Sequence, residues 1–276
     1  MPRKDTKFVL KYGPWALITG GSDGIGQALA IEAAARGLHI CLVARRREAL
    51  QVVAKEIESK FGVETYVIVA DLGTAQGVEA VLHAIDGKEI GLFAACAGFG
   101  TSGHFIESDL ETELNMVDVN CRAVAWIGHV LAADMKDRRR GGLIFMSSIV
   151  AFQGVANAAH YAATKAYIQS LAEGLAAELK PFGVDVLAAA PGPVRSGFAA
   201  RADMTMGGAA TPSTVAKGTL KALGQQITVR PGLLSKLLGY NLAILPRPLR
   251  KRIMGQIMKG MANPQHDPNA NQIAQP

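Results

Sequence analysis

The chain is poor in cysteine, poor in aromatic residues and, over much of its last quarter, empty of acid. Its three cysteines, Cys41, Cys96 and Cys121, form no CxxC pair and no metal-ligand spacing. A disulfide scaffold and a bound metal are therefore excluded as organising features. An odd cysteine count fits a reducing, cytoplasmic setting. The opening stretch MPRKDTKFVLKYG is basic, but it has neither the apolar core nor the small-residue cleavage site of an export signal. No stretch approaches the ~20 consecutive apolar residues that a membrane-spanning helix needs. Aromatic residues make up 6% of the 276. From Met204 to His266 there is no aspartate or glutamate, while nine lysines and arginines fall in the same stretch. The net charge of +6 thus belongs mainly to the C-terminal quarter. That segment has few aromatics and no base-reading motif, so no nucleic-acid partner is expected.

What is present is a regular alternation. Compact apolar runs at 15–19, 39–44, 64–70, 90–97, 142–148 and 184–190 are separated by longer amphipathic segments, several ending at glycine (Gly37, Gly62, Gly183). Continuous apolar runs suit strands buried on both faces, and a glycine past an amphipathic run is a helix stop. Such alternation gives an α/β fold with a doubly wound parallel sheet. The expected organisation is one domain over 1–229, a basic amphipathic helical extension over 230–262 and a disordered polar tail over 263–276.

The first strand runs straight into TGGSDGIGQALA, where Gly20, Gly24 and Gly26 give the spacing GxxxGxG. Glycine permits a tight turn and close approach of a pyrophosphate, and the following helix offers free N–H groups and the positive end of its dipole. The same motif also makes an ordinary strand–helix turn; its place at the first strand–helix junction is what points to a cofactor. A dinucleotide is favoured over S-adenosylmethionine, with contacts from Gly20, Ser22, Asp23, Gly24, Ile25 and Gly26. The end of the second strand decides which dinucleotide. An NAD site wants a carboxylate there for the ribose 2′-hydroxyl. This chain has Ala44, then Arg45, Arg46 and Arg47. Guanidinium is a strong partner for a 2′-phosphate, and cations at a helix start are otherwise unfavourable. The expected cofactor is NADP(H), with Arg45 as the main contact. Asp71, ending the third strand, suits either the adenine amino group or a helix N-cap.

Tyr161 and Lys165 lie in AHYAATKAYIQSLAEGL, one turn apart on a helix face. A phenol with a pKa near ~10 is a poor proton shuttle at neutral pH. A neighbouring ammonium is expected to lower it, making Tyr161 a general acid for carbonyl reduction and a general base in reverse. YxxxK alone is common and usually describes a half-exposed helix. Ser148 changes the weighting, because it closes the fifth strand and its hydroxyl can bond the same substrate oxygen. Asn120 falls within a long helical stretch, where asparagine is unfavourable without a polar task.

Taken in order, TGGSDGIG (19–26), Asp71, ACAG (95–98), Asn120, Ser148, YAATK (161–165) and PGPVRSG (191–197) resemble the short-chain dehydrogenase/reductase family. The resemblance implies a Rossmann fold. It implies that Ser148 orients the substrate carbonyl, Tyr161 transfers the proton, Lys165 binds the nicotinamide ribose and lowers the Tyr161 pKa, and Asn120 holds a relay water. It also implies cofactor contacts at Leu72, Ala97, Gly98, Pro191, Gly192, Val194 and Ser196. Two positions depart from the family's pattern. Cys96 stands where an asparagine usually braces the sheet, which puts the rigidity of the cofactor loop in question. Ser196 replaces the usual threonine and keeps its hydroxyl. YGPWALITGGSDGIG, and RGL before the second strand, are similar to the branch of long-chain 3-oxoacyl-CoA reductases and 17β-hydroxysteroid dehydrogenases. That likeness implies a hydrophobic substrate. The family resemblance also implies a homodimer or homotetramer formed through helices at 111–136 and 158–180.

The expected activity is NADP(H)-dependent interconversion of a ketone and a secondary alcohol. The alternatives are a reductase of small aldehydes or ketones and a non-catalytic NADP-sensing protein. The intact Ser148–Tyr161–Lys165 set argues against the second of these. An epimerase or dehydratase of the extended branch would need a longer chain with its own substrate domain. The substrate pocket is expected from 99–110, from the residues after Ser148 and from a mobile Gly- and Met-rich lid at 195–210. Within 230–262, Leu249, Ile253, Ile257 and Met261 fall on one helical stripe beside Arg250, Lys251, Arg252 and Lys259. The stripe fits a helix packed on the domain, a surface helix making peripheral contact with an anionic membrane, or a cationic cap over the cleft.

Overall fold

The computed structural model describes residues 5–198 and 209–261. Seven strands form one parallel sheet: β1 (Trp15–Thr19), β2 (His39–Ala44), β3 (Thr65–Val69), β4 (Ile90–Ala95), β5 (Gly141–Met146), β6 (Val184–Ala189) and β7 (Thr228–Val229). The order across the sheet is β3-β2-β1-β4-β5-β6-β7. The winding therefore reverses between β1 and β4, which leaves a crevice at the carboxyl ends of the strands. The helices are α1 (Thr6–Tyr12), α2 (Gly24–Ala35), α3 (Arg47–Phe61), α4 (Ala75–Ala84), α5 (Leu110–Val117), α6 (Ala123–Arg138), α7 (Ala159–Leu179), α8 (Pro212–Ala222), α9 (Leu233–Ala243) and α10 (Arg247–Met261).

Strand side chains alternate between faces, and the core divides accordingly. Ala16, Ile18, Ile40 and Leu42 pack with Leu29, Leu50, Ile57 and Leu220, from α2, α3 and α8. Leu17, Cys41, Val43 and Phe93 pack with Val81, Ile127, Leu131 and Ile168, from α4, α6 and α7. Both faces are covered, so most strands read as unbroken apolar runs. A third cluster joins Ile149, Val150 and Ala162 to Leu242, Met254 and Met258. It ties α9 and α10 to the segment after β5 and to the start of α7.

Three features differ from the sequence reading. The basic N-terminal stretch contains α1, capped by Asp5, whose carboxylate accepts from the Phe8 N–H at 3.1 Å. Its Tyr12 is buried and donates to Asp185 at 2.5 Å; burial first, then that carboxylate, drives the phenol pKa far above its usual range. The single helix expected over 111–136 is instead α5 and α6 joined by a π turn, Asp118–Arg122, which carries the buried Asn120 and Cys121. The two-residue β7 adds a seventh strand. Residues 199–208 of the expected lid, and the whole expected tail at 263–276, lie outside the described residues.

Candidate active site

A cleft of about 770 Å³ runs along the carboxyl end of the sheet, from the β1–α2 loop past the end of β5 to α10. Every catalytic or cofactor residue expected from the sequence borders it, except Asn120.

At one end, β1 turns sharply into α2. A Cβ on Gly26 would lie 2.3 Å from the Gly20 carbonyl oxygen, so only glycine lets the helix start this close to the strand. The α2 N-terminus, with its unpaired N–H groups, faces the cleft and suits an anion such as a pyrophosphate. Asp23, which borders the cleft, also has a structural role. Its carboxylate caps α2 by accepting from the Gly24 N–H at 2.7 Å, and its other oxygen accepts from the Gly197 N–H at 3.1 Å. It joins the glycine loop to the PGPVRSG segment.

The doubt raised by Cys96 has a structural answer in Thr19, which the sequence reading passed over. The Thr19 hydroxyl accepts from the N–H groups of Cys96 and Ala97 at 3.0 and 3.1 Å. That hydroxyl, at the end of β1, clamps the turn after β4 without an asparagine. The Cys96 thiol is pushed up to about 12 by burial, against the pull of Lys165. A thiol held that firmly protonated is not a nucleophile.

Beyond β2, Ala44, Arg45 and Arg46 border the cleft. Arg47 does not; it is exposed as the first residue of α3. Asp71 does not cap a helix, since α4 is capped by Thr74. Its carboxylate accepts from the Gly73 N–H at 3.0 Å and stands 3.8 Å from Arg45. The pair is half-exposed, so both groups can turn toward a ligand.

Midway along the cleft, Ser148 follows β5, and Tyr161 and Lys165 sit in the first two turns of α7. The Lys165 ammonium is 6% exposed and donates to the Met146 carbonyl at 2.9 Å. Its nitrogen is 5.7 Å from the centre of the Tyr161 ring. A Cβ on Gly98 would lie 2.8 Å from Asn120 Oδ1, so glycine lets this loop pack against Asn120. Burial pushes the Tyr161 phenol up to about 12, and a hydrogen bond with Ser148 opposes the rise. Burial lowers Lys165 to about 8, with Cys121 and Cys96 pulling the other way. Desolvation of the phenol, the largest cause, sets the direction of the Tyr161 shift, opposite to the expected lowering. The result is a protonated phenol, hydrogen-bonded to a hydroxyl, beside a cation. This group can deliver a proton to an oxygen on which negative charge develops. Ser147 also borders the cleft, but its hydroxyl donates to the Lys165 carbonyl at 3.3 Å.

Asn120 sits behind this wall. Its amide donates to the Phe99 carbonyl at 2.9 Å and to Thr164 Oγ1 at 3.0 Å, and its oxygen accepts from the Phe99 N–H at 3.1 Å. Both amide hydrogens are committed to protein, so the side chain braces the Gly98–Phe99 backbone against α7. A second buried pair escaped the sequence reading: Glu113, 2% exposed, lies 2.6 Å from His160, the residue before Tyr161.

The far end of the cleft is apolar. The expected wall at 99–110 contributes only Phe99. The larger share comes from Ile149, Val150, Phe198 and the inner faces of α9 and α10, among them Leu238 and Met258. The stripe on α10 is rotated from its expected position. Met254 and Met258 are its buried centre, flanked by Ile253, Ile257 and Met261, while Leu249 is 43% exposed.

The reversed sheet, the glycine turn and the hydroxyl–phenol–ammonium group together define a nicotinamide-dinucleotide oxidoreductase. The chain belongs to the short-chain dehydrogenase family, whose model matches residues 14–206, and it acts on hydroxyl and keto groups. It is 31% identical to very-long-chain 3-oxoacyl-CoA reductase of Anas platyrhynchos over 90% of this chain and 80% of that protein. A structure from a study of 7beta-hydroxysteroid dehydrogenase stereoselectivity superimposes with a TM-score of 0.82, at 28% identity, over 90% of this chain and 99% of that one. A short-chain dehydrogenase from Sphingobium yanoikuyae, solved in complex with NADPH, gives 0.75 at 25% identity, over 92% and 100%.

Proposed function

We propose that this protein is an NADP(H)-dependent oxidoreductase that interconverts a ketone and a secondary alcohol on a bulky apolar substrate, a steroid or a 3-oxoacyl thioester. The observation that carries the reading is the composition of one continuous cleft. Arginines without a strand-end carboxylate mark one end, a protonated phenol and an ammonium the middle, and methionine-rich helices the other end. The α2 N-terminus and Gly20–Gly26 would hold the pyrophosphate, Arg45 and Arg46 the 2′-phosphate, and Lys165 the nicotinamide ribose. The bound nicotinamide supplies or accepts the hydride. Leu72, Ala97, Gly98, Pro191, Gly192, Val194 and Ser196 complete the cofactor wall.

In this reading Ser148 bonds the substrate carbonyl oxygen and fixes it beside Tyr161. Tyr161 donates its proton as charge builds on that oxygen, and takes one back in alcohol oxidation. The Lys165 cation stabilises the phenolate that remains. The apolar wall excludes water from the reacting oxygen, which strengthens each of these contacts. The relatives named for steroid and 3-oxoacyl substrates support the same class. The test is a screen of NADPH and NADH consumption against hydroxysteroid ketones, 3-oxoacyl thioesters of rising chain length and small aldehydes. The reading expects NADPH with a large apolar ketone. Turnover confined to NADH or to small aldehydes would overturn it.

A further inference from the structure

We propose that the outer faces of α9 and α10 form a docking surface for an anionic lipid bilayer, through which the cleft receives its apolar substrate; the delivery step rests on the function proposed above. Three independent observations converge on this surface.

The first is bare apolar area. On α9, Leu233, Leu237 and Ile244 are 79%, 55% and 82% exposed, and all three fall within ~40° of one another at 100° per residue. Ser235 and Leu242, on the opposite side, are 2% and 7% exposed and already packed. Exposed apolar side chains thus lie on the outer face, and among the described residues only the inner face is covered. Leu249, near the start of α10, is also exposed, at 43%. Clustered exposed leucines of this kind mark an interaction site rather than ordinary surface.

The second is charge. Lys236 on α9 and Arg252 on the outer side of α10 are exposed, Arg247 and Lys251 lie on the other side of α10 beside Gly154, and the whole stretch from Met204 to His266 contains no acid. Apolar side chains beside cations match the two layers of an anionic bilayer interface, acyl chain and headgroup. A second copy of this chain fits less well. A twofold contact sets each patch against itself, so cations would face cations with no carboxylate in the segment to relieve them.

The third is continuity with the cleft. Leu234 is 40% exposed and also borders the cleft. The cleft rim and the docking face are thus adjacent turns of one helix. Among the described residues, a lipophilic molecule leaving the bilayer at this face would meet the apolar side chains Leu234, Leu238, the α10 methionines and Phe198 on its way to Tyr161.

The experiment mixes the full chain with vesicles of phosphatidylcholine, with and without phosphatidylglycerol, and follows co-sedimentation. Two variants avoid the cleft wall: Leu237→Ser with Ile244→Ser, and Lys236→Glu with Arg252→Glu. The protein should pellet with the anionic vesicles and be released by salt. Each interfacial cation is worth roughly fivefold in affinity, so each double variant should lose at least about tenfold. Both should keep the wild-type rate on a water-soluble ketone and lose vesicle-stimulated turnover of a long-chain one. A wild-type chain that stays in the supernatant with both vesicle types overturns the proposal. So does a Leu237→Ser, Ile244→Ser variant that still pellets while changing from oligomer to monomer by light scattering, because the face would then be a self-contact. Vesicle binding by a chain that reduces no ketone keeps the surface and overturns the delivery of substrate.

Discussion

Lys165 shows at the scale of one side chain how function and stability oppose each other here. Burial lowers it from 10.5 to about 8, which corresponds to a charged form disfavoured by roughly 3 kcal/mol. Below pH 8 both the folded and the unfolded chain carry this proton, so the folded state bears the full cost of the buried ammonium. Between about 8 and 10.5 the unfolded chain still holds the proton and the folded chain does not, and that cost is relieved as pH rises. Lys165→Met should therefore melt at a higher temperature than wild type at pH 7, with the gap narrowing toward pH 10, while losing turnover. A melting temperature that falls at pH 7 would show that the bond to Met146 outweighs desolvation. The same shift predicts that carbonyl reduction holds level through neutral pH and declines above about pH 8, as the cation beside Tyr161 is lost. A profile that stays flat to pH 10 would separate the Lys165 charge from the chemistry. The sequence carried the identity of this group but not its electrostatics. YxxxK reports that a phenol and an amine share a face; it does not report that both lie in a dry wall, where burial sets the direction of both shifts. Thr19 and Asn120 were obscure for a related reason, since a bracing hydroxyl or amide declares itself only when its backbone partners are in place.

At the scale of elements, the β2–α3 junction and α10 set the two ends of specificity. Arg45→Ala should weaken NADPH binding by about tenfold or more, the worth of one charge-assisted contact, and leave NADH nearly unchanged; a titration with each cofactor measures both. An equal loss for the two would mean that Arg45 acts through Asp71 on the shape of the loop. On α10, Met258→Trp fills the apolar end of the cleft. It should raise KM for a steroid-sized ketone by about tenfold or more and spare a small one, and steady-state kinetics on the pair would show it. Six strands were legible because each is buried on both faces and so forms a compact apolar run. β7 was not, because two residues carry no periodicity. The π turn at Asp118–Arg122 was equally silent: one extra residue in a turn shifts the register of α5 against α6 without altering the composition that marks a helix. The inner stripe of α10 centres on Met254 and Met258, one residue on from the expected Leu249, Ile253, Ile257 and Met261, of which the last three still flank it. Apolar residues occupy both positions, and only the packing partner decides which is buried.

At the scale of the whole molecule, two groups of exposed apolar side chains among the described residues carry different expectations. One is the basic face of α9 and α10. The other is on α5 and α7, where Leu110, Leu114, Val117 and Tyr167 are 62%, 50%, 37% and 45% exposed. Glu111 is the one exposed charged residue of α5, so this face has little of the like-charge conflict of the C-terminal one. It suits the homodimer or homotetramer expected of the family. Leu114→Glu should shift the protein to monomer by light scattering without changing NADPH affinity; an unchanged mass would move the interface elsewhere. No helix among the described residues is long and apolar enough to cross a membrane. The central claim is that one phenol, held protonated by burial, delivers the proton in a dinucleotide-dependent reduction. Its most direct test compares wild type with Tyr161→Phe in two assays on the same preparations, NADPH binding by calorimetry and consumption of NADPH with a bulky ketone. The account predicts unchanged binding and a turnover lower by ~10²–10⁴-fold. Unchanged binding with near-wild-type turnover would contradict it.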